Sequence, residues 1–151
     1  MLDADTTTVR LYLHLLGVTV WVGGQIVLAG LLPALRGVGQ DAVTGAARRF
    51  QLIAWPGFLL IMVTGIWNTL DVDLDTRSDE YVGTFGLKMT FVTLSGLFAG
   101  AHVLTGRRVR LALASGDARR ARTARITAGV LGGGGLLFAL AAAFCGIQMR
   151  S

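Results

Sequence analysis

The sequence contains few of the residues that build soluble or disulfide-linked proteins. Its single cysteine, Cys145, excludes an intrachain disulfide. Only 15% of the residues are charged while 53% are hydrophobic, which excludes an ordinary soluble domain. No P-loop, dinucleotide fingerprint, HExxH motif or paired CxxC motif is present. The composition therefore predicts an integral membrane protein in which any chemistry takes place between helices.

Four uncharged or nearly uncharged runs of 21 to 26 residues are each long enough to cross a bilayer. They are Leu11–Leu35, Phe50–Leu70, Tyr81–Gly106 and Ile126–Met149. These runs predict an all-α integral membrane protein, a four-transmembrane-helix bundle that forms a single domain over residues 1–151. Its helices are expected at about residues 10–33, 50–70, 84–106 and 126–149.

The arginines are concentrated in two of the connections between these runs. Residues 36–49 and 107–125 together contain ten arginines, whereas residues 71–80 contain five carboxylates and one arginine. Cytoplasmic connections of membrane proteins carry the basic residues, which predicts that both termini and the acidic segment lie outside (N-out, C-out). The net charge of +5 therefore indicates a lipid bilayer as the partner, and nucleic acid is not expected.

A histidine, His14, lies just inside the outer end of the first run. On an α-helix its face continues through Gly17, Val18, Trp21, Gln25 and Leu28. Lipid offers no partner to imidazole or amide groups, so this face is expected to point into the protein. Ionisable residues inside membranes are usually functional, which favours a ligand role for His14 over a core histidine bonded to a neighbouring carbonyl or serine.

Lys88 is the only lysine among 14 basic residues, and it lies in the third run at a depth similar to that of His14. Burial can neutralise a lysine and leave an amine lone pair, which an arginine cannot provide. The alternative is a lysine that snorkels towards the acidic segment. The second histidine, His102, is expected about 20 Å deeper than Lys88 along the same helix, which argues against His14 and His102 binding one iron.

Two GxxxG spacings, Gly96–Gly100 and Gly129–Gly133, occur in the third and fourth runs. Glycines at this spacing allow helix backbones to approach closely. They favour tight packing within the bundle, and a homodimer interface through the same faces is the alternative.

Seven short segments resemble the copper-resistance D (CopD-like) membrane proteins and the related four-helix haem-b protoporphyrinogen oxidases. They are Leu13–His14, Trp21–Gly24, Leu31–Pro33, Arg49–Phe50, Trp55–Gly57, Thr64–Trp67 and Gly86–Lys88. In the oxidase relatives a first-helix histidine and a third-helix lysine are required and a b-type haem is bound, so the resemblance implies these roles for His14 and Lys88. CopD-like proteins are associated with copper handling across the bacterial cytoplasmic membrane, which implies that location here. The oxidases carry an arginine after the proline of the first helix, where this chain has Ala34.

The resulting hypothesis is a protein that binds haem b near the outer face of the membrane. His14 is the expected axial ligand, and Lys88 is a second ligand or a propionate partner. Trp21, Arg10 and Arg150 complete the expected cofactor site, and Arg10, Arg77 and Arg150 are the expected propionate partners at the surface. A redox role with a quinone or a porphyrinogen would follow, which would make the protein a haem-dependent membrane oxidoreductase.

Two other functions stay open on the sequence. A copper carrier or sensor without haem would use His14 with the soft ligands Met89, Cys145 and Met149. The extramembrane segments lack the Met-rich or His-rich tracts that capture copper, which ranks this function second. A structural subunit of a larger membrane complex is the third.

Cysteine labelling tests the predicted topology once Cys145 has been replaced. Ser78→Cys should react with an impermeant reagent added outside the cell, and Gly116→Cys should not, because the arginines hold their connections on the cytoplasmic side. The reverse pattern would move the expected site to the cytoplasmic side.

Overall fold

The computed structural model describes residues 5–70 and 72–149, which fold mainly into helices. Four long helices follow one another: α1 (Thr6–Val38), α2 (Gln40–Leu70), α3 (Asp79–Ala114) and α4 (Ala118–Gln148). Each has at least 31 residues and is apolar enough to cross a membrane. Large apolar side chains such as Leu52, Leu70 and Leu111 face outwards, as they do where lipid is the solvent. The predictions of an all-α fold and of a multi-pass membrane protein are confirmed.

The helices extend further than the apolar runs that predict them. α2 begins at Gln40 rather than near residue 50, and α3 and α4 both continue into the arginine-rich segment between them. Arginine is a good helix former, and its long side chain reaches polar surroundings from the end of a membrane helix. The α1–α2 connection is reduced to Gly39, at φ 141°, and the α3–α4 turn contains Gly116, at φ 72°. A labelling cysteine in that turn therefore belongs at Ser115, because a side chain at Gly116 would be strained.

Side-chain caps explain where three of the helices begin. The carboxylate of Asp5 accepts a hydrogen bond from the Thr8 N–H at 2.7 Å, and this bond lowers the pKa of Asp5. Ser78 and Asp117 cap α3 and α4 in the same way. Between α2 and α3, the acidic segment contains one short 3₁₀ turn, Leu74–Thr76.

The chain divides after Arg77 into two compact helix pairs, α1–α2 and α3–α4. In the first pair, a Cβ on Gly17 would lie 2.9 Å from Ile61 Cγ1 and 3.0 Å from the Gly57 carbonyl oxygen. Since real Cβ atoms rarely come so close to backbone, only glycine permits this approach of α1 to α2. The single four-helix bundle stays a prediction.

The predicted inward face of α1 is confirmed in this pair. His14 bonds to α2, Gly17 lies against its backbone, and Trp21 packs on its aromatic side chains. None of the six residues on that face is exposed. The helical period of a single sequence therefore identifies the packing side of this helix.

Small residues of α4 form its contact with α3 in the second pair. The buried residues of α4 are Ala121, Gly135, Ala139, Ala142 and Cys145. Phe98 of α3 lies against Gly134 and Gly135, and the buried hydroxyl of Ser95 donates to the Gly135 carbonyl oxygen at 3.0 Å. The short side chains allow the two backbones to approach closely enough for this bond.

The glycines in the α3–α4 contact, Gly134 and Gly135, are not the glycines of the GxxxG spacings. A Cβ on Gly100, Gly129 or Gly133 would meet nothing within 4 Å among the described residues, whereas a Cβ on Gly132 would lie 3.2 Å from His102 Nδ1. These three glycines take no part in the α3–α4 contact, which follows a different face of α4, and their packing elsewhere within a bundle stays a prediction. A homodimer interface through them stays a prediction.

Gly17→Ala is expected to destabilise the α1–α2 pair, because its methyl group would press on the Gly57 carbonyl and force the helices apart. Overpacking of this kind costs about 1–3 kcal/mol. Gly30→Ala in the same helix is the matched control, since nothing lies within 4 Å of its Cβ position among the described residues. Thermal unfolding in detergent should show a lower Tm for Gly17→Ala alone, and equal Tm values would contradict the close approach.

Candidate functional site

A chain of hydrogen bonds that runs from α1 into α2 holds His14. Its Nδ1 lies 2.9 Å from Oγ1 of Thr64, a residue that is 2% exposed. The Thr64 hydroxyl donates onward to the Leu60 carbonyl oxygen, one turn earlier in α2, at 2.6 Å. Beside the ring, a Cβ on Gly65 would lie 3.5 Å from His14 Cε1. The imidazole is therefore held in one orientation against a part of α2 that carries little side-chain bulk.

For a neutral His14 ring, the bond from Thr64 to Leu60 decides which ring nitrogen carries the hydrogen. A hydroxyl has one proton, and Thr64 gives that proton to the Leu60 carbonyl, so Oγ1 accepts the other bond from the imidazole. The neutral ring then carries its hydrogen on Nδ1 and its lone pair on Nε2. Metal-binding histidines use this arrangement, in which one nitrogen binds the metal and the other is oriented by a second residue.

Arg10 lies one helical turn before His14 on the same face of α1. It is 6% exposed, with its guanidinium carbon 5.8 Å from the centroid of the Trp67 ring. Its Nη1 also donates to the Trp67 carbonyl oxygen at 3.5 Å. The sequence predicts Arg10 at the surface, and the structure corrects this. The aromatic face and the carbonyl together allow the cation to lie inside the helix pair.

Trp21 lies about two turns beyond the imidazole along α1, in an aromatic cluster. Its ring centroid is 4.6 Å from that of Phe58 and 5.9 Å from that of Trp55, both on α2. Residues Thr19–Gly23 form a π-helical turn, and Gln25 Nε2 donates to the Trp21 carbonyl oxygen at 2.9 Å. Turns of this kind are rare and often occur at functional sites. The cluster fastens α1 to α2, and a contact of Trp21 with a cofactor stays a prediction.

Lys88 places its ammonium group against Gly146 of α4. A Cβ on Gly146 would lie 3.4 Å from Lys88 Nζ. His14 belongs to the α1–α2 pair and Lys88 to the α3–α4 pair, so their binding of one iron stays a prediction.

The soft ligands of the copper hypothesis all lie in the α3–α4 pair. Cys145 is buried, whereas Met89 and Met149 are half-buried. In residues 5–70 and 72–149, no group of three or more His, Cys, Asp or Glu side chains could hold a metal ion. A copper site formed by these three residues together with His14 stays a prediction.

His102 contacts the backbone of α4. Its Nδ1 lies 2.7 Å from the Ala128 carbonyl oxygen, and its ring lies against Gly132. A carbonyl only accepts hydrogen bonds, so Nδ1 carries the hydrogen. This bond joins α3 to α4 and explains why a histidine at this position is stable inside the pair.

Thr64, the residue that orients His14, was not expected from the sequence. The buried residues of α2 are Ala54, Gly57, Ile61 and Thr64. Their spacing follows one helical face, and Thr64 is the only residue of the four with a polar side chain. The helical spacing of these positions is readable from the sequence, but their burial and the bond to His14 are not. Arg150, another predicted propionate partner, lies outside the described residues.

Comparison with protein-family models, with curated proteins and with solved structures finds no match to the chain. The function is therefore inferred from the side chains of the site and from the resemblance carried by the short segments.

Proposed function

We propose that this protein is a haem-b-binding membrane protein of the CopD-like group, with His14 Nε2 as an axial ligand of the iron. The observation that carries the proposal is the chain of bonds from His14 Nδ1 through Thr64 to the Leu60 carbonyl. It orients the ring, and in the neutral form that donates to Thr64 the lone pair lies on Nε2, the proposed iron ligand. A haem needs only one or two axial ligands, whereas a mononuclear copper site draws on several side chains.

The residues beside the imidazole fit a haem. Gly65 presents no side chain to the edge of the ring, and Arg10 supplies a cation one turn away, which suits a propionate. Lys88 is the proposed second ligand or second propionate partner. Trp21 and Arg150 complete the proposed cofactor site.

Haem b supplies one-electron redox chemistry when it is bound. The proposed work of the protein residues is to bind the group, to orient it through His14 and Thr64, and to balance the propionate charge through Arg10. A membrane-soluble quinone or a porphyrinogen is the proposed redox partner. The proposed setting is the bacterial cytoplasmic membrane, with both termini and the acidic segment outside.

His14→Ala is expected to abolish most haem binding while His102→Ala retains it, because His14 is the proposed ligand and the bond from His102 to the Ala128 carbonyl serves to join α3 to α4. The measurement is the Soret absorbance per mole of purified protein after saturation with haemin. Imidazole added to the His14→Ala protein should restore the band, since free imidazole can occupy the vacated ligand position.

Three outcomes would contradict this proposal. Equal loss in both variants, or full retention in His14→Ala, would remove His14 as the ligand. A wild-type protein that shows no Soret band after haemin addition would exclude haem and leave copper handling or a structural role.

Thr64→Val keeps the branched shape of the side chain and removes the hydroxyl that orients His14. Loss of such an outer partner weakens binding about 10–100-fold, so a haemin titration should give a Kd raised by that factor. Thr64→Ser is the matched control, because serine retains the donor and the acceptor. A Kd for the valine variant equal to that of the serine variant would show that the hydroxyl does not orient a ligand.

A further inference from the structure

A groove of about 670 Å³ opens on the exposed side of α2, away from the bonds that hold His14. All of its lining residues belong to α2, and they include Gly45, Arg48, Arg49, Leu52, Trp55 and Pro56. Gly45 keeps one end of the groove open, since a Cβ there would meet nothing within 4 Å among the described residues. The groove has a charged end and an apolar end.

Arg48 and Arg49 place two guanidinium groups at the charged end. Both side chains are exposed, and neither forms an ion pair within the described part of the chain. Asp41 is the only acidic residue in the flanking segment 36–49. Two adjacent cations at the end of a membrane span attract an anionic group from the headgroup layer.

Leu52 and Trp55 form the apolar end, one and two turns further along α2. Leu52 is 76% exposed and Trp55 is 39% exposed. Trp55 is about 10 Å from Arg48 along the helix axis. Tryptophan is enriched where headgroups meet acyl chains, and an exposed leucine beside it suits an acyl chain. The groove therefore matches a molecule with an anionic head and an apolar tail.

Pro56 lies at the far end of the groove, beyond Trp55. Because proline has no N–H, the Leu52 carbonyl one turn earlier lacks its usual helical donor.

We infer that this groove binds an anionic phospholipid. The phosphodiester lies between Arg48 and Arg49, and an acyl chain follows Leu52 and Trp55. A zwitterionic headgroup would bring its own cation to the two arginines, so it matches the site less well. Trp55 of the groove packs on Trp21 of the proposed haem site, but the inference does not rest on haem binding.

Native mass spectrometry of the full chain in detergent tests the inference, with phosphatidylglycerol, phosphatidylcholine and inorganic phosphate as separate probes. The wild-type protein should bind one phosphatidylglycerol saturably and should prefer it to phosphatidylcholine. The double variant Arg48→Gln, Arg49→Gln should bind phosphatidylglycerol roughly 30-fold more weakly, since each arginine near the headgroups contributes a similar share. The matched control, Arg107→Gln with Arg108→Gln, removes the same charge from exposed positions of α3 and should leave binding unchanged.

Three outcomes would overturn the inference. An equal loss of phosphatidylglycerol binding in both double variants would show that overall surface charge, and not the groove, determines the binding. Equal affinity for the two lipids would remove the anion selectivity, and inorganic phosphate that binds as tightly as the lipid would make the groove a free-phosphate site. Thermal unfolding of both double variants provides the fold control, and unchanged Tm values are expected because all four arginines are exposed.

Discussion

The first helix pair depends on the backbone approach of α1 to α2 at Gly17 and Gly57. A side chain at either position would separate the two helices. Because this approach sets the distance between their axes, side chains about one turn to either side of it come within contact range of α2. His14 reaches the Thr64 hydroxyl on one side, and Trp21 packs on Phe58 on the other. The orientation of the histidine is therefore a consequence of two glycines as well as of its own hydrogen bond.

The two helix pairs repeat one arrangement with different chemistry. In each pair a basic side chain early in the first helix faces a glycine late in the second: His14 faces Gly65, and Lys88 faces Gly146. The residue that precedes each glycine is buried. Imidazole and ammonium groups thus occupy equivalent positions in their own pairs. The sequence shows no repeat, yet this correspondence is what a duplicated helical hairpin would leave.

The helices are predictable from the sequence because each span of a bilayer needs about 20 apolar residues and satisfies its own backbone. The inward face of α1 follows from the helical period and from His14, which lipid cannot accommodate. The helical start of α2 at Gln40, the burial of Arg10 and the π turn at Thr19–Gly23 are not predictable in this way. The sequence pattern of one helix carries no signal for these features, and the contacts of Arg10 with the Trp67 ring and carbonyl come from a second helix.

In the candidate site, His14 is predictable from the sequence and its partner Thr64 is not, for a related reason. Most membrane threonines of this chain bond to a carbonyl of their own helix, as Thr69, Thr90 and Thr93 do. Thr64 also bonds to its own helix and in addition accepts from another. Nothing in the local sequence of a threonine indicates that second bond, because helix packing decides which hydroxyl faces a neighbour.

The charge near each ring separates His14 from His102. Both rings carry their hydrogen on Nδ1, so the tautomer alone makes either histidine competent to bind a metal through Nε2. A haem also brings propionates, and a site inside a membrane must offer cations to balance them. Arg10 lies one turn from His14 on the same face, whereas Phe98 and Gly106, one turn to either side of His102, are uncharged. The α1–α2 pair therefore places a candidate ligand and a counter-charge on one helical face, whereas the nearest cation along the helix of His102, Arg107, lies five residues away on another face.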